Sequence, residues 1–266
     1  MNHSTPLLLL PGLMNDARIW NPLTTAIAGE RTLHVAPTHL HDRIAESARD
    51  AIAAMPAGAF AVAGFSLGGY VAQEVCRQAG SRIAGLGLLD TGARADTEEG
   101  KQVRQRMIQA VEGAEGAATA TATFGQVAQG FAARIVHASR LQDRELLNLL
   151  FDMASTVGSQ GFVRQQRAAM HRADTRDLLP RVHVPALVVC GREDQITPFS
   201  LSQEMASLLP DAELVAVAEA GHMSILEQPA AVVGALVRWL GRVDDAATCH
   251  ADSMSSAAVG PDQPFV

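Results

Sequence analysis

Phe60-Ala61-Val62-Ala63-Gly64-Phe65-Ser66-Leu67-Gly68-Gly69-Tyr70-Val71-Ala72-Gln73-Glu74-Val75-Cys76-Arg77-Gln78-Ala79-Gly80 joins an apolar run, a Gly-x-Ser-x-Gly pentad and a helix-patterned segment without a break. The pentad stands where its chemistry needs it, after a strand and before a helix. A serine on so sharp a turn is driven into a sparsely populated backbone conformation, and the residues two before and two after it are pressed together. Gly64 and Gly68 relieve that crowding. The turn lifts the Ser66 hydroxyl above the sheet and aims backbone N–H groups, Leu67 first, at the oxygen of whatever Ser66 attacks. In the following segment Val71, Val75 and Ala79 repeat every four residues, giving a helix face that lies close on a sheet, and Gly80 supplies the stop. The competing account is a glycine-rich turn with a chance serine. The strand, paired glycines and helix together weigh against it.

Outward from this stretch, apolar runs alternate with helical patterns. Leu7–Leu10 lies between Pro6 and Pro11 and reads as a strand covered on both faces, followed by the loop Pro11-Gly12-Leu13-Met14-Asn15-Asp16. A helix over 17–28, interrupted near Pro22 with Trp20 packing inward, leads to a strand at Thr32–Val35, and Asp42 is expected to cap a helix reaching Met55. Leu86–Leu89 is the next strand, ending at Asp90. From there to about Val182 strand-like runs give way to helical stretches over 97–111, 124–137, 140–154 and 161–172. A run of helices inserted between strands is how a lid over an active site reads, and a helical packing layer without a gating role is the plainer alternative. Strand character resumes at Ala186–Cys190. A helix over 199–209, a strand over 213–217 and a helix over 230–240 complete the pattern. Strand and helix alternate on both sides of the insertion, which predicts an α/β fold with a mainly parallel, doubly wound sheet and its site at the strands' carboxyl ends. The expected layout is a core of residues 1–92 and 183–243, a helical lid of 93–182 inserted before the acid-bearing strand, and a small, polar disordered tail of 244–266.

Composition narrows the class. The chain has 266 residues, 48% of them hydrophobic, enough for a large core, and a net charge of −7 with scattered basic residues. That is not the footprint of a nucleic-acid binder. Cys76, Cys190 and Cys249 read as thiols of a reducing, cytoplasmic compartment. The four leucines are too few for a signal sequence, and no apolar run approaches the ~20 residues of a membrane span. His34, His39 and His41 cluster in sequence, but no thiol or carboxylate set completes a metal-ligand pattern beside them, so no metal is expected.

A serine hydroxyl needs a base, and the base needs a partner that fixes its tautomer and steadies its charged form. His222 follows the last strand and Asp194 the one before it, where carboxyl-end loops converge. With Ser66 they stand in the order Ser, Asp, His. Leu7-Leu8-Leu9-Leu10-Pro11-Gly12 with Trp20 downstream, the pentad and Gly69, Gly191-Arg192-Glu193-Asp194-Gln195-Ile196-Thr197-Pro198, and Gly221-His222-Met223-Ser224-Ile225-Leu226-Glu227-Gln228-Pro229 together resemble the α/β-hydrolase superfamily, in its branch of small bacterial esterase-like enzymes. The resemblance covers roughly Pro6 to Gly241. It implies Ser66 as nucleophile, Asp194 as acid and His222 as base, with the Leu67 and Leu13 N–H groups as the oxyanion hole.

Two departures stand out. Members of this superfamily usually carry His-Gly after the first of these strands, where this chain has Pro11-Gly12, so the oxyanion loop must be positioned by other means. The six residues before Leu7 leave no room for the two further strands that usually begin the fold, so about six central strands are expected rather than eight. Asp90 also ends a strand and competes for the acid's role, since some members take it from that position. The loop Gly-x-x-Asp-x-x-x-Pro favours Asp194. Met14, Phe65, Tyr70 and Met223 flank these positions as candidate walls of an apolar acyl pocket.

The expected activity is acyl-enzyme hydrolysis of a small-molecule carboxylic ester, a lactone or a thioester, with no metal or organic cofactor. A carbon–carbon bond or enol-lactone hydrolase using the same triad is one alternative. A ligand receptor of the same fold with little turnover is another.

Overall fold

Short runs of Leu, Val and Ala without polar alternation form strands covered on both faces, because a parallel sheet carries helices on each side. In the computed structural model, which describes residues 4–113 and 117–258, the central strands β1 (Leu7–Leu10), β3 (Phe60–Phe65), β4 (Ile83–Leu89) and β5 (Ala186–Gly191) are of this kind, and the edge strands β2 (Leu33–Val35) and β6 (Ala212–Val217) are only partly buried. They lie in the order β2-β1-β3-β4-β5-β6, with every neighbouring pair parallel. The helices are α1 (Asn21–Ala26), α2 (Ile44–Ala53), α3 (Leu67–Ala79), α4 (Glu98–Glu112), α5 (Ala117–Ile135), α6 (Arg144–Met170), α7 (Phe199–Leu208), α8 (Ser224–Glu227) and α9 (Pro229–Ala258).

The pleat sends alternate side chains to opposite faces. Leu7, Leu9, Ala61, Ala63, Leu187 and Val189 join Trp20, Leu23, Leu236 and Trp239 of the α1 and α9 side. Leu8, Leu10, Val62, Leu86, Leu88 and Val188 join Ala48, Val71, Val75 and Met205 of the α2, α3 and α7 side. All four leucines of β1 are fully buried, two to each layer, which is why that strand reads as unbroken leucine. The strand order turns back between β1 and β3, so the crevice for a ligand opens where those strands end. The loop after β1 and the pentad after β3 flank it.

Between β4 and β5 the described residues are strand-free, and α4, α5 and α6 pack on one another around Ile108, Val111, Phe124, Ala154 and Phe162, with Met14 of the β1 loop among them. The two helices expected over 140–154 and 161–172 are the two parts of α6, which is broken between them at Gly158 with φ 70. Three details differ from expectation. Arg43, with no side-chain hydrogen bond, occupies the N-cap of α2 in place of Asp42. Ser224–Glu227 forms a short helix that the sequence pattern did not mark. The segment from 244, expected to be a disordered tail, continues α9 to Ala258. Val243 is fully buried, and Asp244 binds Arg31 at 3.0 Å and accepts the Thr5 N–H at 2.9 Å. No glycine or proline between Val243 and Ala258 stops the helix. Residues 259–266 of that expected tail lie outside the described residues.

Candidate active site

Ser66 adopts φ 51 and ψ −115 between β3 and α3, a region that costs a non-glycine residue of order 1–3 kcal/mol. Its surroundings hold it there. The Ser66 N–H donates to Leu89 O at 2.8 Å, and Thr91 Oγ1 donates to Ser66 O at 2.8 Å. The flanking glycines are required by space: a Cβ on Gly64 would lie 2.1 Å from Gly68 O, and one on Gly68 would lie 2.0 Å from Leu10 O.

Ser66 Oγ lies 2.8 Å from His222 Nε2. On the other side of the ring, His222 Nδ1 is 2.8 Å from Asp194 Oδ2. A carboxylate facing Nδ1 requires a proton there in the neutral ring, which leaves Nε2 as an acceptor toward the serine hydroxyl. Asp194 itself is fully engaged. Its Oδ1 accepts the Ile196 and Thr197 N–H groups at 2.7 and 3.0 Å, and its Oδ2 also accepts the Thr197 hydroxyl at 2.7 Å. Burial pushes the Asp194 pKa up, but the charge and hydrogen bond of His222, with the Thr197 donors, outweigh it and hold the carboxyl below its usual range. Burial likewise pushes His222 down, and Asp194 overcomes this to leave the imidazole above its ordinary 6.5. The loop carrying His222 is clamped by Glu227, whose Oε1 accepts the Gly221 and Met223 N–H groups at 3.0 Å each. Its Oε2 accepts the His137 N–H at 2.6 Å, and the His222 N–H donates to Ile135 O at 2.8 Å. The end of α5 and the histidine loop therefore form one hydrogen-bonded unit.

Asp90 sits elsewhere. It is fully buried, its Oδ1 accepts the Gly191 N–H at 2.9 Å, and its Oδ2 binds the Ser224 hydroxyl. Burial, with the Asp194 charge, pushes it up to about 8. Cys190 brings its sulfur close to Asp90 and Asp194, with candidate ligand atoms within 4.8 Å of one another. Burial raises this thiol strongly as well.

Leu13 and Leu67 line the same cavity as Ser66 and His222, a space of about 340 Å³. Among the described residues, no acceptor takes the N–H of either leucine. The question posed by Pro11-Gly12 has an answer in Gln165 of α6, which is fully buried. Gln165 Oε1 accepts the Met14 N–H at 2.9 Å, and its Nε2 donates to Gly12 O at 3.2 Å and to Thr38 Oγ1 at 3.0 Å. Thr38 in turn donates to Pro11 O at 3.1 Å. Nothing local marks Gln165 or Thr38 in the sequence, because each acts from more than twenty residues away.

Phe65, Tyr70 and Met223 line the cavity, with the Phe65 ring 5.5 Å from that of His222. Met14 does not. At φ 57 the loop turns its side chain away into the α4–α6 cluster. Asp96, Arg104, Gln166 and Arg172, joined by hydrogen bonds and ion pairs, line the cavity as well, and so does Arg134; the sequence pattern singled out none of them.

Residues 7–235 match the sequence model described as the alpha/beta hydrolase family. The chain is 26% identical over 254 residues to the provisionally named carbamate hydrolase RutD of Azorhizobium caulinodans, covering 90% of this chain and 92% of that protein. It is 28% identical over 181 residues to the pimeloyl-[acyl-carrier protein] methyl ester esterase of Neisseria meningitidis, covering 68% and 57%. A thermophilic esterase from Thermogutta terrifontis superposes with TM-score 0.78 at 26% identity over 92% of each chain.

Proposed function

Since this chain belongs to the alpha/beta hydrolase family, we propose that it is a serine hydrolase that cleaves a small carboxylic ester, a lactone or a thioester through an acyl-enzyme intermediate. One observation carries this reading: the hydrogen-bonded line from Ser66 Oγ through the His222 ring to Asp194, at 2.8 Å on each side. His222 takes the Ser66 proton as Oγ attacks the carbonyl carbon, and Asp194 steadies the imidazolium that forms. The Leu67 and Leu13 N–H groups receive the developing oxyanion. His222 returns its proton to the leaving oxygen or sulfur, then draws one from water for the second attack, which frees the acid and Ser66. Helices α4–α6 serve as the lid that keeps bulk water from this space. Three free cysteines support a cytoplasmic setting, and no described helix is long and apolar enough to cross a membrane. The names of the esterase relatives support ester cleavage. A turnover screen across p-nitrophenyl esters of graded acyl length, lactones and a dienoic diketone tests the reading. Hydrolysis of the short esters is expected, and cleavage of the diketone alone would contradict it.

A further inference from the structure

We propose that the cavity above Ser66 is built for an ester carrying a second, ionised carboxylate, which Arg104, Arg134 and Arg172 receive. The proposal rests on the hydrolytic reading only for the word ester; the anion seat is argued from the cavity wall.

That wall carries apolar residues, among them Phe65, Leu67, Ile135 and Met223, together with a group of cationic ones. Three arginines line the cavity against one carboxylate, Asp96. Asp96 Oδ2 binds Arg104 Nε and Oδ1 binds Arg172 Nη1, both at 2.9 Å. Asp96 is 7% exposed and Arg172 11%, so this is a built, partly desolvated group and not a fringe of solvated side chains. Its geometry is fixed from several sides. Arg104 Nη1 donates to Gln166 Oε1 at 2.6 Å, Arg172 Nε donates to Arg94 O at 3.0 Å, and the Arg172 guanidinium lies 4.5 Å above the Tyr70 ring.

A purely structural account makes Asp96 a bolt between α6 and the start of α4. It explains the position of Asp96 but not the charge. One carboxylate balances one guanidinium, and among the described residues no ion pair includes Arg134 on the facing wall. The cavity therefore keeps a local positive charge inside a protein whose net charge is −7. Arg104 and Arg172 are largely removed from solvent, at 24% and 11% side-chain exposure, and in such a space of reduced dielectric an unbalanced guanidinium attracts an anion more strongly than a surface arginine does. Arginine forks also match a carboxylate bidentately. Tyr70, beneath Arg172, is four residues along α3 from Ser66, roughly 6 Å of helix rise. A short dicarboxylic monoester, such as that of succinate or glutarate, is therefore the ligand class to test first.

The test is calorimetric binding of monomethyl glutarate and of dimethyl glutarate, its uncharged counterpart, to the full chain carrying Ser66→Ala. Binding of the monoester about tenfold or more tighter is expected, with the preference falling in Arg104→Gln and in Arg134→Gln and shrinking as NaCl rises from about 0.05 to 0.5 M. Arg134 is exposed, so its variant keeps the test independent of folding. Asp96→Asn should shift the preference the other way. Equal binding of the two esters, or a preference unmoved by both arginine changes, overturns the proposal. Turnover by the unmodified protein separates this from the hydrolytic reading. Selective binding with no hydrolysis of either ester contradicts that reading alone, and hydrolysis of both esters with equal binding removes the anion seat alone.

Discussion

Gln165 Oε1 accepts the Met14 N–H at 2.9 Å, and through Nε2 the same side chain also holds Gly12 O at 3.2 Å. Leu13, between them, has its N–H fixed from both sides by a residue of the inserted helices. Removing an oxyanion donor outright costs about 10²–10³ in kcat, and loosening one costs less. Gln165→Leu should lower kcat roughly tenfold to a hundredfold with little change in KM. Gln165→Glu, which keeps the acceptor toward Met14 and loses the donor, should fall between. A rise in KM of similar size with kcat unchanged would assign Gln165 to substrate binding instead.

The two candidate carboxylates separate cleanly. Asp194 meets His222 at 2.8 Å, whereas Asp90 binds Ser224 and the Gly191 N–H. Asp194→Asn should drop kcat by on the order of 10⁴ through the wrong imidazole tautomer. Asp90→Asn should retain most activity. Steady-state kinetics on one ester decide it, and the reverse ranking would move the acid to the end of β4.

Asp90 carries a further consequence. Its native pKa is raised to about 8, so between the unfolded value near 3.8 and about 8 the native state binds more protons than the unfolded one. Stability from this group is complete below about pH 4 and is lost as pH rises through about 8. Asp90→Asn, an uncharged mimic of the protonated acid, should flatten that part of the profile. Urea unfolding at pH 5, 7 and 9 measures it, and an unchanged slope in the variant would show that Asp90 is ionised in the native protein.

His222 must be neutral to accept the Ser66 proton. Its native pKa lies above 6.5 because Asp194 outweighs burial, so kcat/KM should climb through one ionisation above that value and level off on the alkaline side. The stability contribution of the same group runs the other way, present at low pH and lost through the native pKa. A flat kcat/KM profile from about pH 5 to 9 would exclude His222 as the base.

Much of this was legible in local pattern. Leu7–Leu10 announced a doubly covered strand because all four side chains are buried, and Gly64 and Gly68 announced the turn because neither site has room for a Cβ. Asp194 and His222 were readable because each follows a strand end at the same edge of the sheet. Long-range partners were not. Gln165 holds a loop some 150 residues earlier in the chain, and Glu227 bridges the histidine loop to α5; neither relation leaves a periodicity. Met14 shows the opposite failure. Proximity in sequence suggested the pocket, but a positive φ of 57 turned the side chain into the helical layer. The continuation of α9 past Asp244 escaped the reading because its small, polar residues carry no amphipathic period, while the contacts of Asp244 with Arg31 and Thr5 are tertiary.

The central claim is that Ser66 is the nucleophile, and covalent labelling tests it most directly. Incubation with a serine-directed phosphonate, followed by mass spectrometry of the digested protein, should give one adduct per chain on the Ser66 peptide, formed in parallel with loss of hydrolysis, absent in Ser66→Ala and slowed in His222→Gln. An adduct on another residue with Ser66 unmodified, or a Ser66→Ala protein that keeps near wild-type kcat, would contradict the account.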